Sequence, residues 1–411
     1  MDYTDTLPLS RNRNYRLILL ASTVSNLGDG VSAVAYPWLA TLFTRDAAMI
    51  AVVAAASRLP WLLFALPAGV WTDRLDRQRL MVTADALRMV LTIAVVALAM
   101  ARGSVGPAAV WALAGIAFLL GSAEVLRDNA AQTILPSVVA KPDLERANGT
   151  LWTAEQVMGQ FAGPPLAGLL IAASVALPFG LDALSFGVAA LLVSRVSLPP
   201  RAATPAQPFA AAFAEGARWM RANATVLRLA VMLGLVNLLY AGTGAVMVLY
   251  GQEVLGLSSA GFGLFMTAGA LGGVAGGIFG PRLTERMGAQ AGLLLSLALF
   301  AACPLVIGLT SSVTVAAVTM AVEGFASLWW NIVTVSYRQR TIPAPLLGRV
   351  NAIYRFFGWG TMPLGALAAG LAVSLLEPTL GRAHALHAPF LIAAAGGAAL
   401  LAYGAARLRI G

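Results

Sequence analysis

Gly69-Val70-Trp71-Thr72-Asp73-Arg74-Leu75-Asp76-Arg77-Gln78-Arg79 separates two apolar runs, residues 47–71 and 80–101. Each run reaches the roughly twenty residues that a helix needs to cross hydrocarbon. A short loop dense in Asp and Arg between two such runs predicts a membrane hairpin with its charged end on the cytoplasmic side.

The same pattern continues in both directions. Spans are expected near 16–43, 47–71, 80–101, 107–135, 147–174, 178–196, 226–251, 258–281, 290–309, 313–335, 350–376 and 389–407, about twelve in all. Only 11% of the 411 residues are charged, 59% are hydrophobic and mean hydropathy is +0.79, whereas soluble domains carry about 25% charge. The run from Leu17 to Phe43 follows Arg11, Arg13 and Arg16 as a signal sequence would. It is too long for one, and is expected to stay as the first span.

Of the 27 Lys and Arg residues, only Arg45, Arg102 and Arg382 fall in odd-numbered loops, and Arg58, Arg88 and Arg127 fall inside spans. The rest flank the even-numbered loops and the two ends. Both termini are therefore expected in the cytoplasm of a cell whose inner membrane holds the chain. The same bias explains the net charge of +9 without nucleic acid.

Several chemistries are excluded. Cys303 is the single cysteine, so there is no intramolecular disulfide and no cysteine metal site. His384 and His387 both sit in the last outer loop, and Lys141, the one lysine, sits in a cytoplasmic loop. Intramembrane haem, histidine-bound metal and a retinal Schiff base are excluded, and no Gly-Lys-Ser/Thr loop offers ATP. No cofactor and no enzyme activity are expected.

The longest polar connection, Ser197 to Thr225, opens with Pro199, Pro200, Pro205 and Pro208 and continues as an amphipathic stretch, Phe209 to Met220. Arg218 and Arg221 beside Phe213 and Trp219 suit a helix on the cytoplasmic face. It divides the chain into six-span halves, 1–196 and 226–411, with 197–225 as linker. The halves echo each other at an offset of about 210 residues. Arg16-Leu17 matches Arg228-Leu229. The loop quoted above is echoed by Gly280-Pro281-Arg282-Leu283-Thr284-Glu285-Arg286, and Leu144-Glu145-Arg146-Ala147-Asn148 by Leu347-Gly348-Arg349-Val350-Asn351. Duplication builds many secondary transporters.

The Gly69–Arg79 loop resembles the G-x-x-x-D-R-x-G-R-[KR] signature of the major facilitator superfamily, with Asp76 where the pattern has Gly. The Asp-Arg-x-Asp-Arg form, Leu181-Asp182-Ala183-Leu184-Ser185-Phe186 and Glu215-Gly216-Ala217-Arg218-Trp219 resemble the drug:proton antiporter branch with macrolide-efflux and enterobactin-exporter types. Gly159-Gln160-Phe161-Ala162-Gly163-Pro164-Pro165-Leu166-Ala167-Gly168 resembles the helix 5 antiporter signature, with Ala167 in place of a Gly. The resemblance implies an all-α membrane fold, twelve helices in two pseudo-symmetric bundles. It also implies that the loop charges hold the halves together on the cytoplasmic side.

On the residues alone, Gly69 allows close helix approach, and Asp73 suits the start of the third helix. The resemblance implies an acidic residue of helix 4 as the partner of the loop charges, which makes Asp128 the candidate partner of Arg74 or Arg77. Gly159, Gly163, Pro164 and Gly168 suit close crossing and bending of helix 5.

An ionisable group at the bilayer centre costs about 2.5 to 3.5 kcal/mol on insertion scales, so each is a candidate for function. Asp29 and Arg58 have similar depths on consecutive spans and are expected to pair, for coupling or merely for structure. Glu155 and Glu323, from opposite halves, face no obvious cation and are candidates for carrying protons; the plainer alternative is a neutral acid hydrogen-bonded to a neighbouring helix. Trp329 and Tyr240 are the aromatics expected to line a cavity for a bulky apolar guest. The function expected is proton-coupled export of hydrophobic or amphipathic small molecules by a monomer. Import or flipping of a metabolite or lipid is the alternative on the same fold.

Overall fold

The structure is a computed structural model that describes residues 9–103, 106, 108–197 and 209–410. The described elements are helices: α1 (Arg13–Phe43), α2 (Ala47–Arg74), α3 (Arg77–Met100), α4 (Ala109–Ile134), α5 (Leu144–Glu155), α6 (Gly163–Ala173), α7 (Leu177–Ser194), α8 (Phe209–Ala222), α9 (Ala224–Glu253), α10 (Ser259–Met287), α11 (Ala289–Leu309), α12 (Val313–Thr341), α13 (Ala344–Gly360), α14 (Met362–Leu380) and α15 (Arg382–Arg407), with short 3-10 turns between α4 and α5. Among the described residues, 11 helices are long and apolar enough to cross a membrane.

Two expected spans are interrupted. The fifth is α5 and α6 joined by a π-helix, Gln156–Ala162. Pro164 and Pro165 supply no N–H to the carbonyls one turn back, so the ladder there shifts register. The eleventh breaks at Thr361, ahead of Pro363, into α13 and α14. At the break Thr361 donates its hydroxyl to the Gly234 carbonyl of α9 at 2.6 Å.

The chain forms two compact units. The first comprises Met1–Phe43, Leu63–Pro205 and Ser259–Gly263, and the second Thr44–Leu62, Ala206–Ser258 and Leu264–Gly411.

In the first unit, α1 packs on α6 and α7, and α3 on α4 and α7. Its apolar core includes Tyr15, Ile18, Met81, Ile134 and Val193. Small residues set the α1 crossing: a Cβ on Gly163 would lie 2.6 Å from the Gly30 Cα, and one on Gly30 would meet the Gly159 carbonyl. Gly168 approaches Ser259 and Ala260 in the same way. Gly163→Val is expected to lower stability by about 1–3 kcal/mol through overpacking, read as a fall in the thermal midpoint of the detergent-purified chain.

In the second unit, α11 packs on α15 and α12, and α9 on α14. Trp329, Trp330, Leu293, Leu297 and Val350 form its core. The linker helix α8 lies against α13, with Met220 buried in that core, Phe213 and Trp219 packed on it, and Glu215 paired with Arg349. Its apolar stripe is covered by protein.

The ends of α9, α14 and α15 and the start of α2 surround a polar recess of about 680 Å³. Gly381 turns the chain with φ of 76°, a conformation that favours glycine. The turn places Arg382 between Glu253 (2.7 Å) and Glu377 (2.8 Å), with a further bond to the Arg45 carbonyl. Asp46 caps α2 and accepts from the Ser374 hydroxyl. Arg382→Gln leaves two carboxylates facing each other, and is expected to cost about 1 kcal/mol at this partly exposed site, measurable in the same assay.

Candidate functional site

The second unit encloses a cavity of about 340 Å³ among α9, α11, α12, α13, α14 and α15. Glu323, Ser327 and Asn331 line it from α12. They are four residues apart, the spacing that puts side chains on one helix face. Asn237, Tyr240 and Thr243 face it from α9, with Phe300 and Pro304 from α11 and Trp359 from α13. The walls are therefore largely apolar and aromatic, with a few polar groups that can orient a guest.

Among the described residues, Glu323 has no hydrogen bond and no ion pair. Nearby polar groups are committed elsewhere. Asn237 Nδ2 donates to the Gly358 carbonyl at 2.8 Å, Asn331 Nδ2 to the Ser327 carbonyl at 3.1 Å, and Thr243 Oγ1 to the Tyr240 carbonyl at 2.9 Å. A carboxyl without a protein partner facing an aromatic-lined space is free to bind a proton or a cationic group.

Arg58 belongs to the same unit. Its guanidinium lies 5.9 Å from the Trp359 ring centroid, and Trp359 stacks on Trp61 at 5.6 Å. Asp29, expected as its partner, instead pairs with Arg88 at 2.5 Å. The depth comparison was blind to rotation: the long Arg88 side chain of α3 reaches Asp29 on α1.

Trp329 also departs from expectation. It is 1% exposed, its indole N–H donates to Thr284 Oγ1 at 2.8 Å, and its ring covers Gly280 and Gly292. It is a packing residue outside the cavity lining. Tyr240 lines the cavity as expected, and Trp359, Asn237, Ser327 and Asn331 join it. The i, i+4 run of Glu323, Ser327 and Asn331 in an otherwise apolar span is the sequence signal that marks this face.

The first unit holds a buried charge network. Arg88 reaches Asp29 and, at 3.7 Å, Asp85, with its guanidinium 3.9 Å from the Phe186 ring centroid. Arg127 reaches Asp85 at 3.5 Å and Asp128 at 3.4 Å. Asp85 is fully buried, 0% exposed, so the two arginines compensate its charge at ion-pair distance. Asp182, also buried, accepts from Ser32 Oγ at 2.5 Å. Arg88, Asp85 and Asp182 thus lie within the buried core of the unit. Glu155 ends α5 where the π-helix begins, with no hydrogen bond or ion pair among the described residues. It lies within electrostatic range of Asp128 and Arg127.

For the loop motif, the side-chain surroundings of Gly69, Asp73 and Arg74 lie outside the described residues. Helix α2 runs on to Arg74, and the N-cap of α3 is Asp76, which accepts from the Arg79 N–H at 2.8 Å. The residue that departs from the usual pattern is therefore the cap of α3, and Asp73, expected near the start of that helix, falls in the last turn of α2. Asp128 pairs with Arg127. Gln78 ties the loop to the end of α7 by donating to the carbonyls of Val193, Ser194 and Val196.

The sequence profile of transmembrane secretion effectors matches residues 4–410. The multidrug efflux pump Tap of Mycobacterium tuberculosis is 30% identical over 392 residues, covering 91% of this chain and 88% of the pump. Tap of Mycolicibacterium fortuitum is 27% identical, with 91% of each chain covered. Among solved structures, a bacterial homologue of the lysosomal transporter Spinster, inward-facing and unoccupied, aligns with a TM-score of 0.74 at 17% identity over 96% of both chains. An inward-facing bacterial homologue of the iron transporter ferroportin aligns at 0.72 and 18%, covering 95% of this chain and 98% of that one. At such identities these structures establish the fold alone.

Proposed function

The chain belongs to the transmembrane secretion effector family of major facilitator transporters, and from that premise we propose that it is a proton-coupled exporter of hydrophobic or amphipathic small molecules. The carrying observation is Glu323, a carboxyl without a protein partner on the wall of an aromatic-lined cavity of about 340 Å³. Relatives named multidrug efflux pumps support the direction of transport.

In this reading Glu323 takes a proton when its cavity is open to the acidic outer side. It releases the proton when the cavity opens to the cytoplasm, where a cationic or amphipathic guest takes its place. Tyr240, Trp359 and Phe300 supply the apolar contact, and Asn237, Ser327 and Asn331 orient the guest. Asp85 and Glu155 are a second pair of acids in this reading, and Arg88, held between Asp29 and Asp85, keeps its charge. Gly69, Asp73, Arg74, Arg77 and Asp128 remain the proposed cytoplasmic latch.

The chain has twelve spans in this account, counting the interrupted α5–α6 and α13–α14 rods as one each and leaving out the linker helix α8. Halves 1–196 and 226–411 are joined by 197–225, both termini lie in the cytoplasm, and the protein works as a monomer in the inner membrane. Small-molecule substrate, protons and bilayer lipid are its partners.

Purified protein in liposomes, loaded with a fluorescent lipophilic cation under an imposed pH gradient, tests the reading. Transport is expected to collapse when an ionophore dissipates the gradient. Transport that continues unchanged would leave import or lipid flipping as the better account.

A further inference from the structure

The ends of α12 and α13 flank a groove of about 270 Å³ lined by Val335, Arg338, Gln339, Asn351 and Arg355. Among the described residues no acidic side chain lines it. Neither Arg338 nor Arg355 has an ion pair with a carboxylate among the described residues, although Arg349 on the same helix pairs with Glu215 and Arg382 pairs with Glu253 and Glu377.

Arg338 is held in one orientation. Its guanidinium lies 3.8 Å from the ring centroid of Tyr354, itself only 2% exposed. Nη1 donates to Asn351 Oδ1 at 2.6 Å and Nε to the Thr334 carbonyl at 3.3 Å. The remaining nitrogen, Nη2, is not used in these contacts. Arg355, one turn beyond Asn351, lines the same groove closely enough for the two cations to repel. Orienting a protein in a membrane requires positive charge near a span's end; it does not require a guanidinium fixed flat on a buried ring.

We propose that this groove, where Arg338 and Arg355 converge without a carboxylate, binds a phosphate-bearing anion. A phosphate offers several acceptor oxygens to two guanidinium groups at once, and the planar fork of a pre-oriented arginine matches it. The Gln339 amide adds a neutral donor. Among the described residues Val335 is the one apolar side chain in the lining, which suits a headgroup better than a bulky apolar body. Basic pockets between membrane helices hold phospholipid headgroups in this manner, and a soluble phosphate carries the same chemistry.

Full-length protein in detergent separates the two sources. One arm titrates phosphatidylglycerol, with phosphatidylcholine as reference; the other titrates inorganic phosphate at constant ionic strength, with chloride as reference. Saturable binding is expected in at least one arm. Arg355→Gln should weaken it about tenfold, the scale of a charge-assisted hydrogen bond, while Arg340→Gln, outside the groove, changes it by less than about twofold. Arg355 is exposed, so its replacement leaves the fold in place; Arg338→Gln serves as a second variant of the same site. Saturation by the lipid assigns a headgroup, and saturation by phosphate assigns a soluble anion. Absence of saturable binding in both arms overturns the site. So does binding that Arg355→Gln leaves unchanged, or that Arg340→Gln weakens equally.

Discussion

Glu323→Gln is expected to reduce proton-driven transport by about a hundredfold, the lower scale for removing a group that carries a proton. The amide keeps nearly the same volume and still fits a cavity in which no described residue binds the carboxyl, so folding should survive, and with it the binding of an uncharged amphipathic dye. The measurement is substrate-driven proton flux alongside substrate flux in liposomes. Loss of both with retained dye binding fits a proton carrier; loss of binding alone would make Glu323 a recognition residue. Retained coupling would move the proton to Asp29, Asp85 or Glu155 in the first unit. Ser327→Ala, one turn away on the same face, removes only a hydroxyl and is expected to leave coupling intact.

The second large effect is on stability. Arg88 is buried between Asp29 and Asp85 and against Phe186. Arg88→Met keeps much of the aliphatic volume but strands the fully buried Asp85, leaving Arg127 as its remaining ion partner. Breaking a buried pair from one side costs about 3–5 kcal/mol. A marked fall in the thermal midpoint is therefore expected. Neutralising the stranded acids as well, with Asp29→Asn and Asp85→Asn, should recover most of the loss. An unchanged midpoint for Arg88→Met would show that the network is not a structural element of the core.

Some features were legible in the sequence because one dimension suffices to read them. Hydropathy locates the elements along the chain, and the polar stripe of Glu323, Ser327 and Asn331 at helical spacing can be read from the letters. Other features depend on azimuth, which a depth count omits. A count along the sequence gives Asp29 and Arg58 similar depths, yet Asp29 takes Arg88, whose long side chain reaches it from α3. Trp329 sits in the same apolar span as Glu323, but its ring lies over Gly280 and Gly292, small residues from other helices that make room for it. Helix interruptions are a third class. Pro164-Pro165 and Pro363 mark where a ladder loses donors, but whether the backbone answers with a π-turn or a clean break depends on the partners that take up the freed carbonyls.

The two interrupted rods have a common ancestry implied by the sequence echo. Leu144-Glu145-Arg146 opens the one that contains the π-helix, and Leu347-Gly348-Arg349 lies near the start of the one broken at Thr361. Each half thus owns a jointed strut, with the joint at a corresponding storey. Tilting the lower segment of such a strut disturbs a bond or two at the joint and leaves the upper segment anchored. A joint of this kind would let one segment of the rod give way while the packing of the other stays in place.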